Sequence, residues 1–175
     1  MATKHIDYSI FFNTSQDLLA VLNLQGCLNE VNEFWIDLTG YSYDELNMEG
    51  LKILLVDDSE KNRNLVKFFL AKSKVNIIAR ENGLEALNRF KKGDIDLVLM
   101  DMQMPVRDGY TATSKIREFE AQDKIPPVPI IALTAFALKG EKQKIFEAGC
   151  DAHLTKPIKT GDLINSIFKF SQKAA

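Results

Sequence analysis

Four apolar runs in the last two-thirds of the chain each end in polar residues, and this pattern constrains the fold more than any other feature. The residues at these ends are Asp57 with Asp58, then Asp101, Thr134 and Lys156. In a parallel sheet the carboxyl ends of the strands open onto one edge, where α/β proteins bind their ligands. We therefore expect three carboxylates, one hydroxyl and one ammonium group to meet in one pocket.

From about residue 51 onward, short β-branched runs alternate with longer amphipathic ones, which is the sequence form of repeated βα units. Right-handed crossovers then favour an α/β fold, a doubly wound parallel sheet with helices on both faces. The strands are predicted near 52–57, 75–79, 96–100, 128–133 and 152–154, and the helices near 60–72, 83–91, 109–121, 138–147 and 160–171. In the first helix, an apolar stripe of Leu65, Phe68, Phe69 and Leu70 is predicted to face the core.

The composition excludes several classes of function. With 46% apolar and 26% charged residues and a formal charge of -2, the chain is typical of a globular protein with no electrostatic preference for nucleic acid or anionic membrane. No apolar run approaches the roughly 18 residues of a membrane span, and the first residues lack the apolar core of a signal peptide. Cys27 and Cys150 are isolated thiols, which indicates neither zinc nor a disulfide scaffold. A cytoplasmic location is predicted.

The adjacent pair Asp57 and Asp58 predicts a cation site. Two carboxylates at the mouth of a sheet repel each other unless a cation neutralises them. Mg²⁺ prefers oxygen ligands and is typically held by one or two carboxylates together with phosphate oxygens. The alternative is a turn in which Asp58 or Ser59 caps the following helix, and the pair alone does not decide between the two.

Asp101 favours the metal site, because a carboxylate at the end of the buried run 97–100 is costly to ionise without a positive partner. A carboxylate is also a competent nucleophile toward phosphorus. Phosphoryl transfer needs mainly alignment and charge neutralisation, which Mg²⁺, Lys156 and Thr134 could supply. Taken singly, such a threonine is usually structural and such a lysine is usually a surface charge.

These residues carry a resemblance to a known family. The motifs are Leu-Leu-Val-Asp-Asp-Ser ending at position 59, Val-Leu-Met-Asp-Met-Gln-Met-Pro at 98–105, Ala-Leu-Thr-Ala at 132–135 and Leu-Thr-Lys-Pro-Ile at 154–158. Residues 51–175 resemble the receiver domain of two-component response regulators, especially receivers of hybrid sensor histidine kinases. The resemblance implies a five-stranded, flavodoxin-like sheet of order 2-1-3-4-5.

The resemblance also implies a mechanism. Asp101 would accept a phosphoryl group from phosphohistidine, on a histidine kinase or a histidine phosphotransfer protein, and would hydrolyse it slowly. Mg²⁺ would be held by Asp57, Asp58, Asp101 and the backbone carbonyl of Gln103.

Two side chains would contact the phosphoryl group once it is bound. Lys156, with a cis bond to Pro157, would pair with a phosphoryl oxygen, while Thr134 would move toward it as a switch residue. His153 occupies the second switch position, where the family carries an aromatic, so its switching could depend on pH. The alternative is that His153 is simply a partly exposed residue of an edge strand.

Residues 1–50 resemble the first half of a PAS domain, with a strand pair turning at Gly26 and a short helix from Asn32. A complete PAS domain is about twice as long, so no sensor pocket is predicted. The exposed apolar side chains of such a fragment would favour a partner, including a homodimer. The sequence contains no motif of a histidine kinase catalytic domain.

Two other functions remain open from the residues. The receiver fold could be a scaffold, and the PAS-like segment could make the chain an interaction or oligomerisation module without signalling. A phosphatase of the haloacid dehalogenase type also uses a strand-end aspartate and Mg²⁺. That class expects Asp-x-Asp on its first strand, whereas Asp57 and Asp58 are adjacent.

Overall fold

The computed structural model separates the chain into two compact units, residues 1–47 and 48–175. The residues it describes are 12, 14, 15, 19–22, 28–31, 48, 50–105, 108–135 and 139–171. In the first unit, strands β1 (Ala20–Leu22) and β2 (Leu28–Val31) pair in antiparallel register. The predicted turn at Gly26 and the helix from Asn32 lie outside the described residues, and a two-stranded ladder does not identify a PAS domain.

The second unit alternates strands and helices as predicted. Its strands are β3 (Lys52–Val56), β4 (Asn76–Arg80), β5 (Leu97–Asp101), β6 (Ile130–Thr134) and β7 (Ala152–Thr155), and its helices are α1 (Glu60–Phe69), α2 (Gly83–Phe90), α3 (Gly109–Asp123), α4 (Lys139–Glu147) and α5 (Thr160–Ser171). The strands are parallel in the order β4-β3-β5-β6-β7, which is 2-1-3-4-5 within this unit. The predicted fold class is confirmed.

The core lies on both faces of this sheet, because successive strand residues point to opposite sides. On one face, even-numbered residues of β3, β5 and β6 pack with residues of α2, α3 and α4. On the other face, odd-numbered residues of the same strands pack with α1, α5 and Met48. Every residue of β5 and β6 is buried. Strands covered on both faces hold their carboxyl ends in fixed positions, which is what a site at that edge requires.

The predicted core stripe of α1 is partly wrong. Leu70 is buried and Phe69 is half-buried, but Leu65 is 44% exposed and Phe68 is 77% exposed. At 100° per residue, Val66 and Leu70 share the face toward the sheet, whereas Phe68 lies on the opposite side of the helix. The apolar run of this helix therefore covers more of its circumference than the sheet can bury.

None of the helices in the described part of the chain combines the length and apolar character needed to span a membrane.

Candidate functional site

The predicted polar residues converge at the carboxyl edge of the sheet. One carboxylate oxygen from each of Asp57, Asp58 and Asp101 lies within 4.8 Å of the others. Asp57 and Asp101 are buried, whereas Asp58 is exposed. The three carboxylates come from the ends of adjacent strands, since β3 and β5 pair directly. Strand order therefore brings the three residues to the same part of the edge.

Lys156 joins the two buried carboxylates. Its Nζ donates to Oδ2 of Asp57 at 2.8 Å and to Oδ2 of Asp101 at 2.7 Å. The lysine follows β7, and its backbone N–H donates to the carbonyl of Thr134 at 2.7 Å. The Lys156–Pro157 bond is cis, as the resemblance implies. The cluster thus has one ammonium group for three carboxylates, and the site keeps an excess of negative charge.

Burial and charge shift the pKa values of this pair in identifiable ways. Burial raises the pKa of Asp101 above its ordinary value, against the opposing hydrogen bonds from Lys156 and from the backbone of Gln103. Burial alone would lower the pKa of Lys156, but its hydrogen bonds to Asp101 and Asp57 outweigh that effect and the pKa is raised. The lysine is therefore charged at neutral pH, and the acidic cluster strongly favours a cation.

The donor set fits a hard divalent cation. The clustered ligand atoms are all carboxylate oxygens, which suit Mg²⁺, Ca²⁺ or Mn²⁺ rather than zinc or copper. Both oxygens of Asp57 already accept hydrogen bonds, from the backbone of Ser59 and the side chains of Asn62 and Lys156. Among the described residues, no hydrogen bond to the carboxylate of Asp58 is found. Asp58 is therefore the most available of the three for direct coordination.

Other predicted site residues lie where the sequence placed them, and their roles stay predictions. Thr134 is buried at the end of β6, next to the end of β5. The backbone N–H of Gln103 donates to Oδ1 of Asp101 at 3.2 Å, and the side chain of Gln103 is exposed. His153 is half-buried in the edge strand β7, with its ring 5.9 Å from that of Phe146.

Three residues make contacts at the site that the sequence did not predict. Asn62 binds both oxygens of Asp57 at 3.1 Å, and Arg63 donates to the carbonyls of Asp57 and Asp58. A β-carbon on Gly109 would lie 2.2 Å from the carbonyl oxygen of Asp101, so only glycine lets α3 begin this close to the site. Asn62 was detectable, since the first turn of a helix that follows a strand faces the strand's end.

This fold and this site define a class of protein. A family model for the response regulator receiver domain matches residues 53–168, and the chain belongs to that family. Membership places the chain in phosphorelay signalling.

Individual relatives agree with this assignment. The chain is 37% identical over 128 residues to the sensor histidine kinase GacS of Pseudomonas protegens, a match that spans 73% of this chain and 14% of the relative. It is 36% identical over 115 residues to the polar-differentiation response regulator DivK of Brucella anthropi, across 66% of this chain and 91% of DivK. The chain thus matches a small part of the hybrid kinase and nearly all of the single-domain regulator.

Two solved structures are similar in fold and sequence. The receiver domain of yeast Ssk1, in complex with the histidine phosphotransfer protein Ypd1, superposes with a TM-score of 0.69 and 34% identity, covering 73% of this chain and 93% of that one. The receiver domain of the Pseudomonas aeruginosa sensor histidine kinase PA1611 has a TM-score of 0.63 and 33% identity, covering 70% and 98%. That structure holds a magnesium ion in its active-site cleft.

Proposed function

We propose that Asp101 accepts a phosphoryl group from a phosphohistidine of a histidine kinase or histidine phosphotransfer protein. One observation carries the proposal: the ammonium group of Lys156 lies between two buried carboxylates, next to the exposed third carboxylate of Asp58. The magnesium in the PA1611 receiver and the Ypd1 complex of the Ssk1 receiver support it by similarity.

The chemistry is a single displacement at phosphorus. A carboxylate oxygen of Asp101 forms a bond to phosphorus while the P–N bond of the phosphohistidine breaks, and the imidazole nitrogen keeps the bonding electrons and takes up a proton. Lys156 stays charged and pairs with a phosphoryl oxygen. Asp58, Asp101 and the carbonyl of Gln103 would hold Mg²⁺, which would neutralise the other phosphoryl oxygens. Asp57 would belong to the same Mg²⁺ site while it keeps its hydrogen bonds to Ser59, Asn62 and Lys156. Thr134 would donate to the phosphoryl group once it has arrived.

The partner would approach over α1. Exposed Leu65 and Phe68 lie on this helix, and a cavity of about 410 Å³ next to it is lined by both α1 and the Lys156 loop. Its lining residues are Asn62, Leu65, Val66, Lys156, Pro157 and Ile158. The apolar surface is therefore continuous with the reacting groups. A protein that presents a phosphohistidine to Asp101 would cover this surface, so it is an appropriate place for its contacts.

A phosphoryl mimic tests the acceptor role. Beryllofluoride should bind the parent chain only with Mg²⁺ present, and Asp101→Asn should abolish binding. Asp94→Asn is the matched control, because Asp94 is an exposed carboxylate that pairs with Lys52 away from the site. Absence of Mg²⁺-dependent binding by the folded parent would refute the proposal.

A transfer assay tests the docking face. Phe68→Ser should slow phosphoryl transfer from a phosphorylated histidine phosphotransfer protein by about tenfold, as expected for loss of an aromatic contact at an interface. Beryllofluoride binding should stay unchanged. Phe146→Ser is the control, since Phe146 is also exposed but belongs to α4 on the other face of the sheet. Equal transfer rates for parent and Phe68→Ser would exclude this face.

We further propose that residues 51–175 are the receiver domain and that residues 1–50 are a PAS-like segment able to mediate self-association. The core of the receiver is contained in residues 48–175, which supports an independent domain. Deletion of the first 47 residues should leave beryllofluoride binding intact and should lower any self-association seen by analytical ultracentrifugation. Loss of beryllofluoride binding on deletion would contradict this division.

A further inference from the structure

Arg63 lies behind the acidic cluster and contacts main-chain atoms rather than the carboxylates. It is 8% exposed and belongs to the first turns of α1. Its Nη1 donates to the carbonyl of Asp57 at 2.8 Å and to the carbonyl of Asp58 at 3.1 Å. Its Nη2 donates to Oε1 of Glu81 at 2.7 Å. Arg63 therefore links the end of β3, the start of α1 and the residue that follows β4.

The contacts of Arg63 with two carbonyls show the backbone conformation at the acidic cluster. In a regular strand, consecutive carbonyls point in opposite directions, as consecutive side chains do. One nitrogen can donate to the carbonyls of both Asp57 and Asp58 only where the chain has turned. The same turn brings their two carboxylates to one side, within reach of Asp101. Arg63 thus holds the backbone conformation on which the shared ligand cluster depends.

Glu81 explains how a cation is tolerated so close to a cation site. A bare guanidinium next to the acidic pair would repel a divalent ion. The carboxylate of Glu81 lies 2.7 Å from Nη2 of Arg63 and offsets its charge. The arginine then contributes directed N–H groups with little net charge. The buried backbone carbonyl of Asp57 also needs a donor, and Arg63 supplies it.

We infer that Arg63, with Glu81 as its counter-ion, is a positioning residue that fixes the carboxylates of Asp57 and Asp58 for divalent cation binding. This inference rests on the proposed function, because it concerns the metal that assists phosphoryl transfer there. Groups that orient metal ligands through hydrogen bonds typically contribute about 10- to 100-fold in metal affinity.

Calorimetric titration of the full chain with Mg²⁺ tests this role, alongside urea unfolding in EDTA. Arg63→Met should weaken Mg²⁺ binding by about tenfold. Arg63→Lys should recover part of the loss, because a lysine can reach one carbonyl but cannot span three acceptors. Arg89→Met is the control, since Arg89 is a half-buried arginine of α2 whose side chain, among the described residues, donates to the carbonyl of Gly93 alone. At Mg²⁺ concentrations raised tenfold, Arg63→Met should again bind beryllofluoride with the parent's stoichiometry.

The outcomes separate this inference from the proposed function. If the parent binds Mg²⁺ and Arg63→Met is less stable but binds Mg²⁺ equally well, Arg63 is only structural and the inference is overturned. If the parent itself binds no Mg²⁺, the proposed function fails and takes the inference with it. Should Arg63→Met not fold, Glu81→Ala decides: a threefold or larger loss of Mg²⁺ affinity supports the role, and parent affinity overturns it.

Discussion

The two edges of the sheet both carry buried carboxylates, but they treat the negative charge differently. At the amino edge, Arg117 uses every nitrogen of its guanidinium group. Nε donates to the carbonyl of Gly149, Nη1 to Glu120 and to the carbonyl of Val128, and Nη2 to Asp151. The backbone N–H groups of Val128 and Ile130 donate to the same two carboxylates, at 2.8 Å each. Both oxygens of Glu120 and Oδ2 of Asp151 are thus occupied by protein donors.

At the carboxyl edge, one lysine pairs with two of the three carboxylates, and the exposed Asp58 accepts no hydrogen bond among the described residues. Cavity volume does not distinguish the two edges, because a cleft of about 420 Å³ at the amino edge matches the one of about 410 Å³ beside Lys156. The edges differ in how much of their negative charge is paired with protein donors. A closed ion network stabilises the fold, whereas an acidic excess can bind a cation.

The largest expected effect comes from a substitution that breaks the hydrogen-bond network of Arg117 at the amino edge. Arg117→Met should lower the free energy of unfolding by about 3 kcal/mol, because it leaves Glu120, which is 3% exposed, without its cation. Urea unfolding measures this. Lys115→Met, which removes an exposed ion pair with Glu118 on the same helix, should cost about 0.5 kcal/mol or less. Similar losses for both variants would show that the network is no stronger than a surface pair.

The contrast between the edges also explains what the sequence could predict. Strand ends are a local signal, so the sequence alone could assign Asp57, Asp58, Asp101, Thr134 and Lys156 to one edge. The partners of Arg117 could not be assigned in this way, because they are brought together from positions 120, 128, 149 and 151 only by packing of α3 against two loops. The exposure of Phe68 was missed for a related reason: periodicity shows that a face is apolar, not how much of it the sheet covers.

The next effect concerns Cys150, which also lies at the amino edge. Burial raises the pKa of its thiol to about 11, against the opposing hydrogen bond with Thr113. Since the folded pKa exceeds the unfolded value of 9.0, the resulting stability is fully present below pH 9 and is lost as pH rises toward 11. In a Cys27→Ser background, the free energy of unfolding should fall by about 2 to 3 kcal/mol across that window.

Cys150→Ala is the control for this pH dependence. The substitution should remove the slope that belongs to the thiol, while its packing cost shifts the whole curve equally at every pH. Slow alkylation of Cys150 by iodoacetamide at pH 8 is the companion measurement. An unchanged slope in Cys150→Ala would assign the alkaline loss to another group, of which Tyr110 is the first candidate because burial and its bond to Glu141 raise its pKa to about 12.

A smaller effect probes the acidic excess at the carboxyl edge. In EDTA, Asp58→Asn should raise the free energy of unfolding by about 1 kcal/mol or less, because it relieves repulsion from Asp57 and Asp101. Mg²⁺ at 100 times its dissociation constant should stabilise the parent by about 2.7 kcal/mol and the variant by much less. Asp94→Asn should have the opposite sign in EDTA, since Asp94 pairs with Lys52. Stabilisation by both substitutions would mean that total charge, not this cluster, is responsible.

The smallest effect lies on β7, which Asp151 precedes at the amino edge and Lys156 follows at the carboxyl edge. Partial burial lowers the pKa of His153, and the charge of Lys142 lowers it further. The imidazole should therefore be neutral at pH 7 and titrate below its ordinary value of 6.5 in an NMR experiment on a His5→Gln background. Because the unfolded chain binds the proton more readily, stability falls as pH drops from 6.5 through the folded pKa.

Lys142→Gln should raise the pKa of His153 toward its ordinary value, while His153→Gln should remove this segment of the pH profile. If His153 instead titrates at or above 6.5, negative charge stabilises its imidazolium. The negative charge of the acidic cluster would then act on β7 as far as His153. A pKa of His153 below 6.5 means that the negative charge of the acidic cluster does not extend along β7 to His153. The two ends of β7 would then differ in charge in the same way as the two edges of the sheet.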